Sequence, residues 1–196
     1  MSAVVRCVVL LVVAVLLAGC TDPDPGPEPS AVPSPSTTVE SVRPTVVPSV
    51  EETVDLRPYR RHSCRLLTRE QLDDLGFPPR VFEGANAESG SCEWGAHENE
   101  SGRIRDLYSL TVHVDGDPLG TAYRDNDDNL ERFEERTIRG LPALVQAYSN
   151  QDRLCYVVVG TGNGQGITLA GSPGTPVPGL CERMVDAAGL VVDAVR

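Results

Sequence analysis

Apolar positions along this chain fall into three regimes. The first is one unbroken run, Cys7 to Ala18, preceded by Arg6 and followed by Gly19 and Cys20. It is too short for a good membrane span, which needs about 20 residues. A short n-region ending at Arg6, an apolar core from Cys7 to Leu17 and small residues before a cleavage point are the layout of a secretory signal over residues 1–19. No twin arginine precedes the run, so export in the unfolded state is the simpler reading. The second regime, Thr21 to about Pro58, has few apolar residues and is rich in Pro, Ser, Thr and Glu. Its Asp22-Pro23-Asp24-Pro25-Gly26-Pro27-Glu28-Pro29 segment cannot build regular hydrogen-bonded structure. Residues 20–58 therefore read as a tether, partly polyproline II, with a reach of roughly 120 Å if fully extended. The third regime, residues 59–196, regains periodic apolar positions and predicts one globular domain.

Within that domain Thr68-Arg69-Glu70-Gln71 is a capping box, and Gly76 followed by Pro78 stops the helix it opens. Ser91 to Ala96 reads as a short strand with Cys92 and Trp94 on one face. Leu107 to Val114 alternates cleanly: Tyr108, Leu110, Val112 and Val114 against Ser109, Thr111 and His113. Leu119, Tyr123, Leu130 and Phe133 fall at helical spacing and predict a second helix. Glu135–Ile138 reads as a strand ended by Gly140-Leu141-Pro142. Ala143–Tyr148 and Leu154–Val159 flank a polar turn and predict a hairpin. Gly160 to Gly166 reads as a glycine-rich turn into a strand at Ile167–Ala170. Cys181, Met184, Val185, Ala188, Val192 and Val195 mark one face of a C-terminal helix. The expected class is α+β: an antiparallel sheet of about five strands with helices packed on one face and two disulfides.

Charge narrows the partners. The chain carries 17 Lys+Arg, all of them Arg, against 28 Asp+Glu, for a net charge of −11. Loss of the signal removes Arg6 and no acid, which makes the mature chain still more acidic. That balance argues against nucleic acid and against docking on anionic lipid headgroups. Of six cysteines, Cys7 leaves with the signal and Cys20 directly follows it. Cys64, Cys92, Cys155 and Cys181 remain, an even set in an exported chain. Three pairings are possible. Cys64–Cys92 with Cys155–Cys181 is preferred because it staples each half locally, each loop contributing roughly 3–4 kcal/mol in the chain-entropy model. No C-x-x-C is present and no histidine stands at ligand spacing from a cysteine pair, so no metal and no cofactor are expected.

Leu17-Ala18-Gly19-Cys20 resembles the lipobox of bacterial lipoprotein signals. The resemblance implies a diacylglyceryl thioether on Cys20 Sγ and cleavage before it, so that Cys20 becomes the first mature residue. Two acyl chains hold stably where one holds marginally, since each buried methylene adds about 0.8 kcal/mol. Cys64-Arg65-Leu66-Leu67-Thr68, Leu72, Leu75-Gly76, Cys92-Glu93-Trp94, Gly140-Leu141-Pro142-Ala143, Cys155 and Cys181 together resemble an actinobacterial lipoprotein family called domain of unknown function 3558. That likeness covers most of residues 59–196. It implies an exported lipoprotein with cysteines at these four positions, and no catalytic residue.

Several clusters invite chemistry. Gly160-Thr161-Gly162-Asn163-Gly164-Gln165-Gly166 is glycine-rich, but it lacks the lysine and the following helix of a phosphate-binding loop. Asp125-Asn126-Asp127-Asp128-Asn129 has calcium-loop spacing, yet Leu130 replaces the required glycine and Arg136 the final glutamate. A solvated face is the simpler reading. His62, His97 and His113 are scattered; only His113 shares a strand face with Ser109 and Thr111, as a Ser–His pair would need, and no Gly-x-Ser-x-Gly elbow is present. Arg57, Arg60, Arg61 and Arg65 form a basic cluster at the start of the domain, suited to an anionic polymer or a partner's carboxylates, or simply to solvent. Trp94 is the only tryptophan and reads as core, which disfavours a sugar-binding platform. Asn99-Glu100-Ser101 is a glycosylation sequon of little meaning in a bacterium.

The expectation is a lipid-anchored lipoprotein on the extracytoplasmic face of the cell membrane, with a non-catalytic domain that binds an envelope protein or a small ligand. A carrier of lipophilic molecules is the alternative and a cell-wall hydrolase the third reading.

Overall fold

The computed structural model describes residues 46–78, 90–98, 103–125, 130–148 and 153–196. These include two single 3-10 turns, Arg57–Tyr59 and Ser63–Arg65, then α1 (Arg69–Asp74), β1 (Ser91–Glu98), β2 (Arg103–His113) and α2 (Pro118–Arg124). β3 (Leu130–Ile138), β4 (Leu141–Tyr148), β5 (Cys155–Gly162), β6 (Gln165–Ser172) and α3 (Leu180–Val195) follow. The strands form one antiparallel sheet in the order β1-β2-β6-β5-β4-β3. The class is α+β as expected, with six strands rather than about five.

The added length is in β3, and it corrects the second helix. That helix ends at Arg124, before a run of Asp and Asn that disfavours helix interior. Leu130 and Phe133 lie instead in β3. Three residues apart, they would face opposite sides of a regular strand. A bulge between Leu130 and Arg132 absorbs one residue, so Leu130 pairs Tyr148 while Phe133 pairs Gln146, and both return to one face.

A second correction concerns the layers. α3 packs on one face of the sheet, where Met184, Ala187, Ala188, Val191 and Val192 meet Val145, Val157, Val159, Ile167 and Leu169. α2 packs on the other, where Leu119, Ala122 and Tyr123 meet Leu144 and Val158. The helices are therefore not all on one face. Covering both sides of the central strands explains why Val157-Val158-Val159 is apolar without alternation.

The turns also shift. Asn163-Gly164 (φ +54° and +71°) alone joins β5 to β6, the two-residue form that matches strand twist, while Gly160, Gly162 and Gly166 belong to strands. Arg139-Gly140 turns β3 into β4, so Leu141-Pro142 begin a strand rather than end one. Pro142 is tolerated there because it pairs Thr137 and the β4–β5 ladder starts only at Ala143.

Packing begins upstream of the expected boundary at Tyr59. Val54 N–H donates to the Thr161 carbonyl (2.9 Å), and Leu56 N–H donates to Gln165 Oε1 (2.7 Å). Leu56 is fully buried and Val50 packs against the core. Residues 50–56 are thus a strap on the domain, not tether. Two disulfides join Cys64 to Cys92 and Cys155 to Cys181, the local pairing. The first ties the second 3-10 turn to β1, and the second ties β5 to α3.

Candidate functional site

The segment between strap and α1 is a run of tight turns that displays arginine. Tyr59 N–H bonds to the Leu56 carbonyl (3.0 Å), His62 to Tyr59 (2.9 Å), Arg65 to His62 (2.8 Å) and Leu66 to Ser63 (3.1 Å). Leu56, Ser63, Leu66 and Leu67 point inward and are buried, and the Cys64–Cys92 bridge pins the segment's middle. Arg57, Arg60, Arg61, His62 and Arg65 are left exposed. Arg57 is occupied: its Nε donates to Asp55 Oδ1 at 2.8 Å and its Nη2 to Oδ2 at 3.0 Å. Those hydrogen bonds hold the Asp55 carboxyl down at about 2 and push the Arg57 guanidinium up.

The α2 side of the sheet carries the hydroxyl-bearing positions. Ser91 Oγ and Thr111 Oγ1 are 2.9 Å apart, and His113 Nε2 lies 3.0 Å from Thr168 Oγ1. Burial holds the His113 imidazole below its ordinary pKa. The structure does not assemble a Ser–His pair here. Ser109 is four residues from His113 on one strand, about 13 Å along it, and hydrogen bonding needs about 3 Å.

On the α3 side, alternate residues of β3 make an ionic cluster that sequence reading did not single out. Arg132 Nη2 reaches Glu182 Oε1 of α3 at 2.7 Å, Arg132 Nε donates to Glu134 at 2.7 Å, and Arg136 bridges Glu134 and Glu182. Burial opposes the Glu134 charge, but hydrogen bonds from Arg132 and Arg136 outweigh it and keep the carboxyl below its usual range. The period-two charge pattern Arg132-x-Glu134-x-Arg136 was the available signal. A groove of about 390 Å³ lies nearby, lined by Leu75, Arg139, Val185, Asp186 and Leu190. Another of about 370 Å³ lies where Arg183 sits 5.9 Å above the Phe77 ring, with Asp73 and Asp106 on its walls. Asp106 Oδ1 there accepts the Gly174 N–H at 3.0 Å.

The model of the family described as Protein of unknown function (DUF3558) matches residues 15–194. This chain belongs to the DUF3558 family. No curated protein matches it, and no solved structure does.

In this DUF3558 domain Trp94 is core as expected: 1% exposed, stacked on Tyr108 and edge-on to Phe77. Its Nε1 has no hydrogen-bond partner among the described residues. The glycine-rich segment packs closely against the strap and α2, and with them it lines a groove of about 290 Å³. A Cβ on Gly160 would stand 2.7 Å from Leu119 Cδ2, one on Gly162 2.6 Å from Thr53 Cγ2, and one on Gly166 2.5 Å from Pro118 Cγ. The strap and α2 occupy that space. Cys20, the signal, residues 126–129 of the acidic run and the Asn99-Glu100-Ser101 sequon lie outside the described residues, as does the side chain of His97.

Proposed function

We propose that this protein is an extracytoplasmic lipoprotein, anchored to the cell membrane through a diacylglyceryl group on Cys20, whose folded domain serves as a non-catalytic binding module. The observation that carries the proposal is the Leu17-Ala18-Gly19-Cys20 sequence at the end of the apolar run. Two disulfides in the folded domain support an oxidising compartment. The Pro-rich stretch between Cys20 and the strap gives the domain reach from the bilayer.

Binding is favoured over the rival activities by how the domain is filled. A carrier of lipophilic molecules needs a large apolar cavity between sheet and helix. That layer is occupied by Met184, Ala187, Ala188, Val191 and Val192, each at 0% exposure. A hydrolase needs convergent groups, and His113 faces a threonine hydroxyl. Radiolabelled palmitate fed to cells making the protein tests the anchor. Wild type should carry label and partition into the detergent phase; Cys20→Ala should carry none and should either reach the medium or remain as uncleaved precursor. Label retained on Cys20→Ala would falsify the assignment.

A further inference from the structure

Guanidinium groups are outnumbered in this chain, with 17 arginines against 28 carboxylates. Arg57, Arg124, Arg132, Arg136, Arg139 and Arg196 are each held in an ion pair. Arg69, Arg153 and Arg183 have no such pair among the described residues, and neither do Arg60, Arg61 and Arg65, which cluster within six residues although acid is in excess. Those last three are exposed, and all three project from backbone fixed by successive turn hydrogen bonds and the Cys64–Cys92 bridge. A charge displayed on rigid backbone gives up less freedom when it binds, which favours association.

We propose that Arg60, Arg61 and Arg65 form a docking patch for a linear, phosphate-bearing polyanion of the cell envelope. The anchored reading is needed only for where the polymer is met; the binding itself does not require Cys20. Charge complementarity selects a polyanion, since guanidinium pairs phosphate oxygens through two parallel N–H donors. The size of the patch selects a thread over a plane. Basic clusters that hold anionic bilayers run to about four to eight residues, each worth about 1 kcal/mol, and this one has three. A bilayer would also confront exposed Glu51, unpaired among the described residues, just before the patch and the excess of carboxylates over arginines in the chain as a whole.

The test uses the full chain in nonionic detergent micelles, titrated with long-chain inorganic polyphosphate over a range of salt. Three guanidinium–phosphate contacts predict a slope of log K against log salt of about −2. Arg60→Gln/Arg61→Gln/Arg65→Gln should abolish that binding, and Arg124→Gln/Arg153→Gln, at exposed arginines outside this segment, should preserve most of it. Matched far-ultraviolet circular dichroism and melting of the triple variant show that the fold survived. No binding by wild type, or equal binding by the triple variant, overturns the proposal. So does patch-dependent preference for phosphatidylglycerol mixed into the micelles over the polymer.

Discussion

Gly162 shows how a single position can be fixed by a contact from far along the chain. Its φ of +88° disfavours any side chain, and a Cβ would fall 2.6 Å from Thr53 Cγ2. Gly162→Ala should therefore cost about 1–3 kcal/mol in urea unfolding. Thr53→Ala in the same chain should recover part of that loss, because it removes the methyl and leaves the backbone term. The position itself was visible as glycine, but its partner was not. The strap meets β5–β6 across 109 residues in the case of Leu56 and Gln165, and no local pattern encodes such a pairing. Trp94 was legible because burial of a lone indole beside Cys92 follows from its own chemistry and neighbours. His113 is half-buried, and its partial burial favours the neutral form. With its folded pKa below the unfolded value, the unfolded chain binds more protons in the interval between them. Stability is then full above about 6.5 and falls as pH drops toward the folded pKa. His113→Gln should flatten the fall in melting temperature between pH 8 and pH 5; an unchanged slope would assign the acid sensitivity to other groups.

Among the elements, α1 and α3 were readable from sequence for a common reason: each carries its stop or its face within a few residues. The Thr68 capping box forms with both of its hydrogen bonds, Thr68 N–H to Gln71 Oε1 at 2.8 Å and Gln71 N–H to Thr68 Oγ1 at 3.2 Å. β3 was misread because its bulge gives Leu130 and Phe133 a helix-like spacing on a strand. The sheet faces were misassigned because strands buried on both sides lose the alternation that identifies one side. The disulfides permit a comparison at this scale. Their sequence separations, 28 and 26, are nearly equal, so loop entropy gives each about 3.5 kcal/mol. Their surroundings differ: Cys155 and Cys181 are both buried, whereas Cys64 is exposed. Cys155→Ala/Cys181→Ala should lose more stability than Cys64→Ala/Cys92→Ala, since it also loosens α3 from the core, and equilibrium urea unfolding of the two variants reads the difference.

For the molecule as a whole, the strap decides where the domain starts. A chain beginning at Tyr59 leaves out Val54 and Leu56, both buried against the core. At about 1.5–3 kcal/mol for each such side chain, it should be roughly 3–6 kcal/mol less stable than one beginning at Ser41. Thermal melting of the two truncations checks this, and equal midpoints would mean that the strap is dispensable. The strap also brings the two ends of the domain together, for Glu52 pairs with Arg196 at 3.2 Å. That pair is exposed, and the strap's hydrogen bonds to Thr161 and Gln165 are few. A mechanical load arriving from the amino-terminal side therefore falls first on a short peelable segment, while the cross-linked sheet and α3 lie behind it. If tension strips the strap first, it uncovers Gly160 and Gly162 of β5, which Val50 and Thr53 cover, and leaves the two disulfides within the body behind it.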